Sequence, residues 1–280
     1  MQDLVSPAWL QAQISAPDSS PIRLLDATYY LPNEAKDAAA LFEAAHIPGA
    51  RFFDIDKIVD ATSPLPHMLP TPEIFADAVA SLGISNNDHV IVYDQRGLFS
   101  AARLWWMFRV FGHDNVSVLD GGLPGWVEAG GAVASGAPTP AAAGHFHAGF
   151  RAGLVRNLAQ MKANLASHAE LVLDARAAGR FNGSVPEPRP GMKSGHIPGA
   201  KSLPFTELLQ DGKMLPAAIL RAKFAGLGVT PDKKIVTSCG SGVTAAVLTL
   251  GLAVAGLPQG ALYDGSWSEW GGRDDTPIEV

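Results

Sequence analysis

His46-Ile47-Pro48-Gly49-Ala50 returns later in the chain as His196-Ile197-Pro198-Gly199-Ala200, an offset of 196 − 46 = 150 residues. Leu24-Leu25-Asp26-Ala27 returns as Val172-Leu173-Asp174-Ala175, an offset of 174 − 26 = 148. Leu119-Asp120-Gly121-Gly122, followed by Trp126, returns as Tyr263-Asp264-Gly265-Ser266, followed by Trp270, an offset of 264 − 120 = 144. Three pairs in one order at nearly one spacing mean that the chain holds two copies of one domain. Between them Ala134–Gly144 reads ASGAPTPAAAG, small, proline-containing and uncharged, as suits an extended connector. The boundary is expected near residues 136–150, with an N-terminal domain over 1–140 and a C-terminal domain over 150–280.

Within each copy short β-branched runs alternate with helical patterns. His89–Asp94 and Lys234–Ser238 read as buried parallel strands, each leading through a loop into a helix, over Ser100–Phe111 and Val243–Ala255. Strand, loop and helix repeated in this way predict an α/β fold, each domain a central, mainly parallel sheet flanked by helices. Ligands of such sheets sit at the carboxyl ends of the strands, which marks the loops starting at Asp94 and Cys239 as candidate sites.

Bulk properties narrow the function. The net charge of −6 and pI of about 5.7 argue against a nucleic-acid or anionic-membrane partner, since both reward a basic face. The longest apolar stretch, Val243–Leu257, would span roughly 22 Å as a helix, short of the ~30 Å of a bilayer core, and reads as a buried helix. The first residues lack the basic region and apolar run of a secretory leader. With 1 cysteine no disulfide can form within the chain, and a reducing, cytoplasmic setting is expected.

That cysteine lies in Thr237-Ser238-Cys239-Gly240-Ser241-Gly242-Val243-Thr244-Ala245. A lone cysteine is often a small buried hydrophobe. This one ends a strand and precedes two glycines in three residues, which let the backbone curl so that successive N–H groups point inward. The following helix adds the positive end of its dipole. Such a cradle stabilises an anionic sulfur, so Cys239 reads as a nucleophile.

The CGSGVTA loop resembles the active-site loop of the two-domain 3-mercaptopyruvate sulfurtransferases of the rhodanese type. The likeness runs through HIPGARFFDID (46–56), His67-Met68-Leu69-Pro70, Asp174-Ala175-Arg176, Gly179-Arg180-Phe181, Pro186-Glu187-Pro188-Arg189, Ser194–Ala200 and Tyr263-Asp264-Gly265. The resemblance implies two tandem rhodanese-like domains, only the C-terminal one catalytic, with no metal and no organic cofactor. The repeat itself supports the asymmetry. Asp94 stands where the second copy has Cys239, an offset of 239 − 94 = 145, and a carboxylate cannot carry a transferable sulfur. The first copy continues Gln95-Arg96-Gly97-Leu98-Phe99-Ser100, without the Gly240/Gly242 pair, and its loop is expected not to curl in the same way.

The resemblance also implies that Arg180 and Arg189, in the Gly/Pro-rich stretch 178–198, bind the substrate. A planar guanidinium matches both the carboxylate and the carbonyl of a small α-keto acid. Arg176 reads as structural, pairing an acid at the strand end. Of 8 histidines, His46 and His196 recur in both copies and read as architectural, whereas His89, His113, His145, His147 and His168 read as surface. His67 has no counterpart. The resemblance implies an Asp–His–Ser arrangement beside the cysteine, which maps onto Asp56, His67 and Ser241.

The implied chemistry moves sulfur from 3-mercaptopyruvate to Cys239 as a persulfide, shielded by backbone N–H groups of Gly240, Ser241, Gly242, Val243 and Thr244, and releases pyruvate. A small thiol, a thioredoxin-like protein or cyanide then takes the outer sulfur. Thiosulfate sulfurtransferases are the nearest alternative, but they carry two cations directly after the cysteine, where this chain has Gly240 and Ser241. A Cys-based phosphatase needs an arginine six positions on, and position 245 is Ala245. Gly240 is also expected to need a positive φ. A non-catalytic interaction module would have no use for Cys239 in such a loop.

Overall fold

A computed structural model describes residues 2–16, 21–138 and 142–280; residues 139–141 of the expected connector lie outside them. The first copy runs β1 Leu4–Val5, α1 Pro7–Ser15, β2 Ile22–Asp26, α2 Ala38–Ala44, β3 Arg51–Phe52, α3 Pro72–Ser81, β4 His89–Tyr93, α4 Ala101–Val110, β5 Val116–Leu119 and α5 Gly122–Glu128. The second runs β6 Val155–Arg156, α6 Leu158–Ser167, β7 Glu170–Asp174, α7 Ala178–Phe181, β8 Lys201–Ser202, β9 Leu209–Gln210, β10 Lys213–Met214, α8 Ala217–Gly226, β11 Lys234–Ser238, α9 Ala245–Val254, β12 Ala261–Tyr263 and α10 Ser266–Trp270.

The chain forms two compact units. One comprises residues 1–60, 69–151 and 211–214, the other 61–68, 152–210 and 215–280. Each is built on a five-stranded sheet, in the order β1-β5-β4-β2-β3 in the first and β6-β12-β11-β7-β8 in the second. Every neighbouring pair in both sheets is parallel. Strand for strand the two orders are the same, the structural form of the sequence repeat.

Helices cover both faces of a parallel sheet, so its central strands are buried on both sides and read as continuous apolar runs. Residues 90–93 of β4 and 235–238 of β11 are accordingly all buried. The cores repeat too. Phe42, Ile91, Tyr93 and Trp126 pack in the first unit, and Val172, Val236, Tyr263, Trp267 and Trp270 in the second. Helix starts follow local chemistry: Ser6 and Thr71 cap α1 and α3 ahead of a proline, and Asn157 forms a capping box with Gln160 on α6. The apolar stretch at 243–257 forms α9, whose residues 245–252 are all buried. Among the described residues no helix is long and apolar enough to cross a membrane.

The histidine readings divide. His46 stacks on Phe42 at 4.2 Å and its Nδ1 lies 2.8 Å from the Phe42 carbonyl. His196 does the same with Phe181, at 3.7 Å and 2.9 Å. Both copies therefore use this histidine as a packing element. His145, His147 and His168 are exposed, but His89 and His113 are not surface residues. His89 is half-buried in β4 with Nε2 2.9 Å from Ser117 Oγ, and His113 is buried against Phe108 and Phe146. Burial pulls both below the ordinary imidazole pKa. Their flanking polar residues suggested turns at the surface, and the aromatic cluster that covers His113 is assembled from α3, α4 and residue 146, which no local pattern shows.

The two copies differ at the end of the strand carrying Leu-Asp-Ala. Asp174 has Arg176 for a partner, while at the matching place in the first copy (176 − 148 = 28) stands Thr28. Asp26 is fully buried and accepts hydrogen bonds from the Thr28 N–H and hydroxyl and from Gln95 Nε2. Burial raises its pKa to about 6, and those hydrogen bonds offset only part of the rise. A folded pKa above the unfolded value near 3.8 means that stability is fullest below about pH 4 and is lost as pH rises through about 6. Asp26→Asn is therefore expected to stabilise the chain by roughly 2–3 kcal/mol at pH 7.5 and little at pH 4. Urea unfolding at both pH values checks this; equal shifts at the two would show that the carboxylate charge is not the cause.

Candidate active site

Cys239 leaves the carboxyl end of β11 and is 2% exposed. Three bonds fix the start of its loop. The Trp267 N–H donates to the Cys239 carbonyl at 2.9 Å, the Ser268 N–H donates to the Gly240 carbonyl at 2.8 Å, and the Cys239 N–H donates to Ser266 Oγ at 3.2 Å. Ser266 passes its own proton to the Tyr263 carbonyl. It holds a left-handed φ of 48°, a conformation that costs a non-glycine residue about 1 kcal/mol or more.

The two glycines of the loop differ in role. Gly242 has φ 79°, which makes the curl. Gly240, against expectation, is not in the left-handed region. Its constraint is space: a Cβ there would lie 3.1 Å from Arg180 Nη2. The loop then turns directly into α9 at Ala245.

The matching loop of the first copy closes around a side chain of its own. Asp94 Oδ1 accepts from the Arg96 N–H at 2.9 Å, and Oδ2 from the N–H groups of Phe99 at 2.8 Å, Ser100 at 2.9 Å and Ala101 at 2.9 Å. Four backbone donors at the start of α4 thus wrap one anion. The expectation that this loop would not curl was wrong. Gly97 matches Gly242 (242 − 145 = 97) and takes φ 102°, so a single glycine supplies the turn. The Leu123 N–H donates to the Asp94 carbonyl at 2.9 Å, as Trp267 does to Cys239.

Arg180 lies on the one-turn helix α7, where an irregular loop was expected. Its Nε and Nη2 donate to Glu187 at 3.1 and 2.5 Å, and Glu187 also accepts from Arg176 Nη1 at 2.8 Å. Arg176 in turn grips Asp174 through Nε and Nη2, donates to the Gly195 carbonyl and lies over the Trp267 ring at 4.2 Å. Asp174, Arg176, Glu187 and Arg180 therefore form one chain of alternating charge running from the end of β7 to the rim of the Cys239 loop. The Glu187 side chain is 4% exposed and that of Arg180 24%, so the interior of the chain is dry and its end is open. Arg189 Nη1 donates to Ser268 Oγ at 3.1 Å, and Ser268 Oγ donates to the Gly240 carbonyl at 2.7 Å.

His67 Nδ1 lies 3.0 Å from Ser241 Oγ, both residues buried. His67 belongs to the same compact unit as the cysteine and holds a left-handed φ of 60°. Asp56 belongs to the other unit, in an exposed turn where its N–H donates to Asp54 Oδ1 at 3.0 Å. Of the expected set, Cys239, Ser241, His67, Arg180 and Arg189 thus fall within one unit around one loop. Reading from sequence missed Glu187, Ser266 and Ser268. Ser266 had a signal: it replaces Gly122 in the repeated Asp-Gly pair, and both residues are left-handed. Among the described residues no group of three His, Cys, Asp or Glu side chains is placed to share a metal ion.

The chain is similar to known proteins along nearly its whole length. The model of the rhodanese-like domain matches the chain twice, over residues 6–129 and 157–273. The 3-mercaptopyruvate sulfurtransferase of Escherichia coli K12 is 48% identical over 274 residues, covering 97% of this chain and 95% of that protein. A thiosulfate/3-mercaptopyruvate sulfurtransferase of Arabidopsis thaliana, described as mitochondrial, is 44% identical over 299 residues, covering 99% of this chain and 78% of that one. The crystal structure of an E. coli 3-mercaptopyruvate sulfotransferase superposes with a TM-score of 0.85 at 43% identity, covering 95% of this chain and 99% of the other.

Proposed function

The chain belongs to the rhodanese family, and from that premise we propose that it moves sulfur from 3-mercaptopyruvate to a thiol acceptor through a persulfide on Cys239. The observation that carries this reading is the pair of matching loops, one closed by backbone N–H groups around the Asp94 carboxylate and the other presenting Cys239. In the second loop the N–H groups of Gly240, Ser241, Gly242, Val243 and Thr244 take the place of that cradle and hold the anionic sulfur.

Arg180 and Arg189 bind the carboxylate and carbonyl of the donor. The Cys239 thiolate attacks the donor sulfur. The Cys239–sulfur bond forms as the bond from sulfur to the donor methylene breaks, and the electron pair passes into the pyruvate enolate. Protonation of that carbon completes pyruvate. Ser241, two residues after the cysteine and hydrogen-bonded to His67, supplies the proton. A small thiol or a thioredoxin-like protein then attacks the outer sulfur and restores the thiolate. The cycle needs no metal or organic cofactor. A reducing compartment such as the cytoplasm suits it, because the one cysteine must stay free.

Donor choice tests the reading. Thiosulfate is a dianion and is favoured by added cations, whereas the two positions after Cys239 are Gly240 and Ser241. Its release as sulfite also needs no proton on carbon. The kcat/KM for 3-mercaptopyruvate is expected to exceed that for thiosulfate by at least about tenfold, ~1.4 kcal/mol. A preference for thiosulfate would replace this donor with the other and leave Cys239 as the carrier.

A further inference from the structure

We infer that Ser268 is the positioning residue that ties Arg189 to the Cys239 loop and so presets the site for the donor carboxylate; the inference rests on the reading of Arg189 as a donor ligand. Ser268 is 7% exposed. A serine hydroxyl has one proton and two lone pairs. Here the proton goes to the Gly240 carbonyl at 2.7 Å, and a lone pair receives Arg189 Nη1 at 3.1 Å. The Ser268 N–H donates to the same carbonyl at 2.8 Å. One residue thus holds the peptide that follows the cysteine and, through the same oxygen, the guanidinium.

The repeat supplies an internal control. The counterpart of Ser268 in the first copy is Pro124 (268 − 144 = 124), which has neither an N–H nor a hydroxyl. The bond before it is kept, since Leu123 N–H to Asp94 carbonyl matches Trp267 N–H to Cys239 carbonyl. The frame is therefore common to both copies, and the clamp at 268 belongs to the copy with the cysteine. Arg189 also needs such a tether. It lies between α7 and β8, in residues 182–200 that form no helix or strand, and an arginine left free there would lose rotamer freedom on binding.

Ser268→Ala is expected to raise the KM for 3-mercaptopyruvate about 3- to 10-fold, with kcat within about twofold, the scale of one neutral or charge-assisted hydrogen bond. Attack of cyanide on the preformed persulfide is expected to stay unchanged, since the donor has already left. The deciding measurement is a cycle with Arg189→Ala. If Ser268 acts through Arg189, its replacement has little further effect in the Arg189→Ala background. Equal losses in both backgrounds, or a loss confined to kcat, would overturn the inference and leave Ser268 a packing residue. If Arg189→Ala itself changes neither KM nor kcat, the reading of Arg189 falls first and the inference with it, a result distinguishable from additivity.

Discussion

Cys239→Ser is expected to bring sulfur transfer down by at least about 10³-fold, to the level of the reaction without enzyme. The substitution is nearly isosteric at a site 2% exposed, and it leaves every bond to the backbone of residue 239 in place, so the fold should be unaffected. What is lost is the atom. Oxygen is a poor nucleophile toward a thiol sulfur and forms no sulfane sulfur that an acceptor can remove, and there is no second cysteine in the chain to take over. Pyruvate release with a thiol acceptor gives the rate, and intact mass after incubation with donor gives the load. Wild type should gain the mass of one sulfur atom and the variant none. Turnover by the variant, or a gain in its mass, would refute a persulfide at this position.

The second large effect is at the arginines. Arg180→Ala and Arg189→Ala are each expected to lower kcat/KM for 3-mercaptopyruvate roughly 10- to 150-fold, on the order of 1.5–3 kcal/mol for a charge-assisted hydrogen bond. The two should differ in their side effects. Arg180 shares Glu187 with Arg176, so its removal leaves a buried carboxylate with one cation in place of two and should also lower thermal stability. Arg189 bonds a neutral hydroxyl, and its loss should cost activity with little change in stability. Retention of kcat/KM within twofold in either variant would make that arginine a surface charge.

The contrast between Glu187 and Cys239 shows which parts of this molecule can be read from its sequence. Strand order, helix positions and the site of the nucleophile follow from patterns repeated at a nearly fixed offset, and the two sheets carry that repeat strand by strand. The fork of Arg176 and Arg180 on Glu187 has no such period. It depends on a proline-flanked turn bringing position 187 back across positions 176 and 180, a matter of three-dimensional closure. The Gly240 reading failed for a related reason. Glycine suggests a special φ, but here it marks the close approach of a side chain 60 positions earlier in the chain (240 − 180 = 60). The first-copy loop curls without a Gly240/Gly242 pair because one glycine, Gly97, is enough to make the turn.

The division of the chain into units has a practical corollary for dissecting it. Residues 61–68 pack with the C-terminal unit although they precede it by most of a domain, and residues 211–214 pack with the N-terminal one. A fragment begun at residue 152 would carry Cys239, Ser241, Arg180 and Arg189, yet it would lack the imidazole that meets Ser241. Expressing the cysteine-bearing half by itself therefore also deletes His67, and any loss of rate in that fragment must be compared with His67→Ala in the intact chain before it is credited to the missing domain.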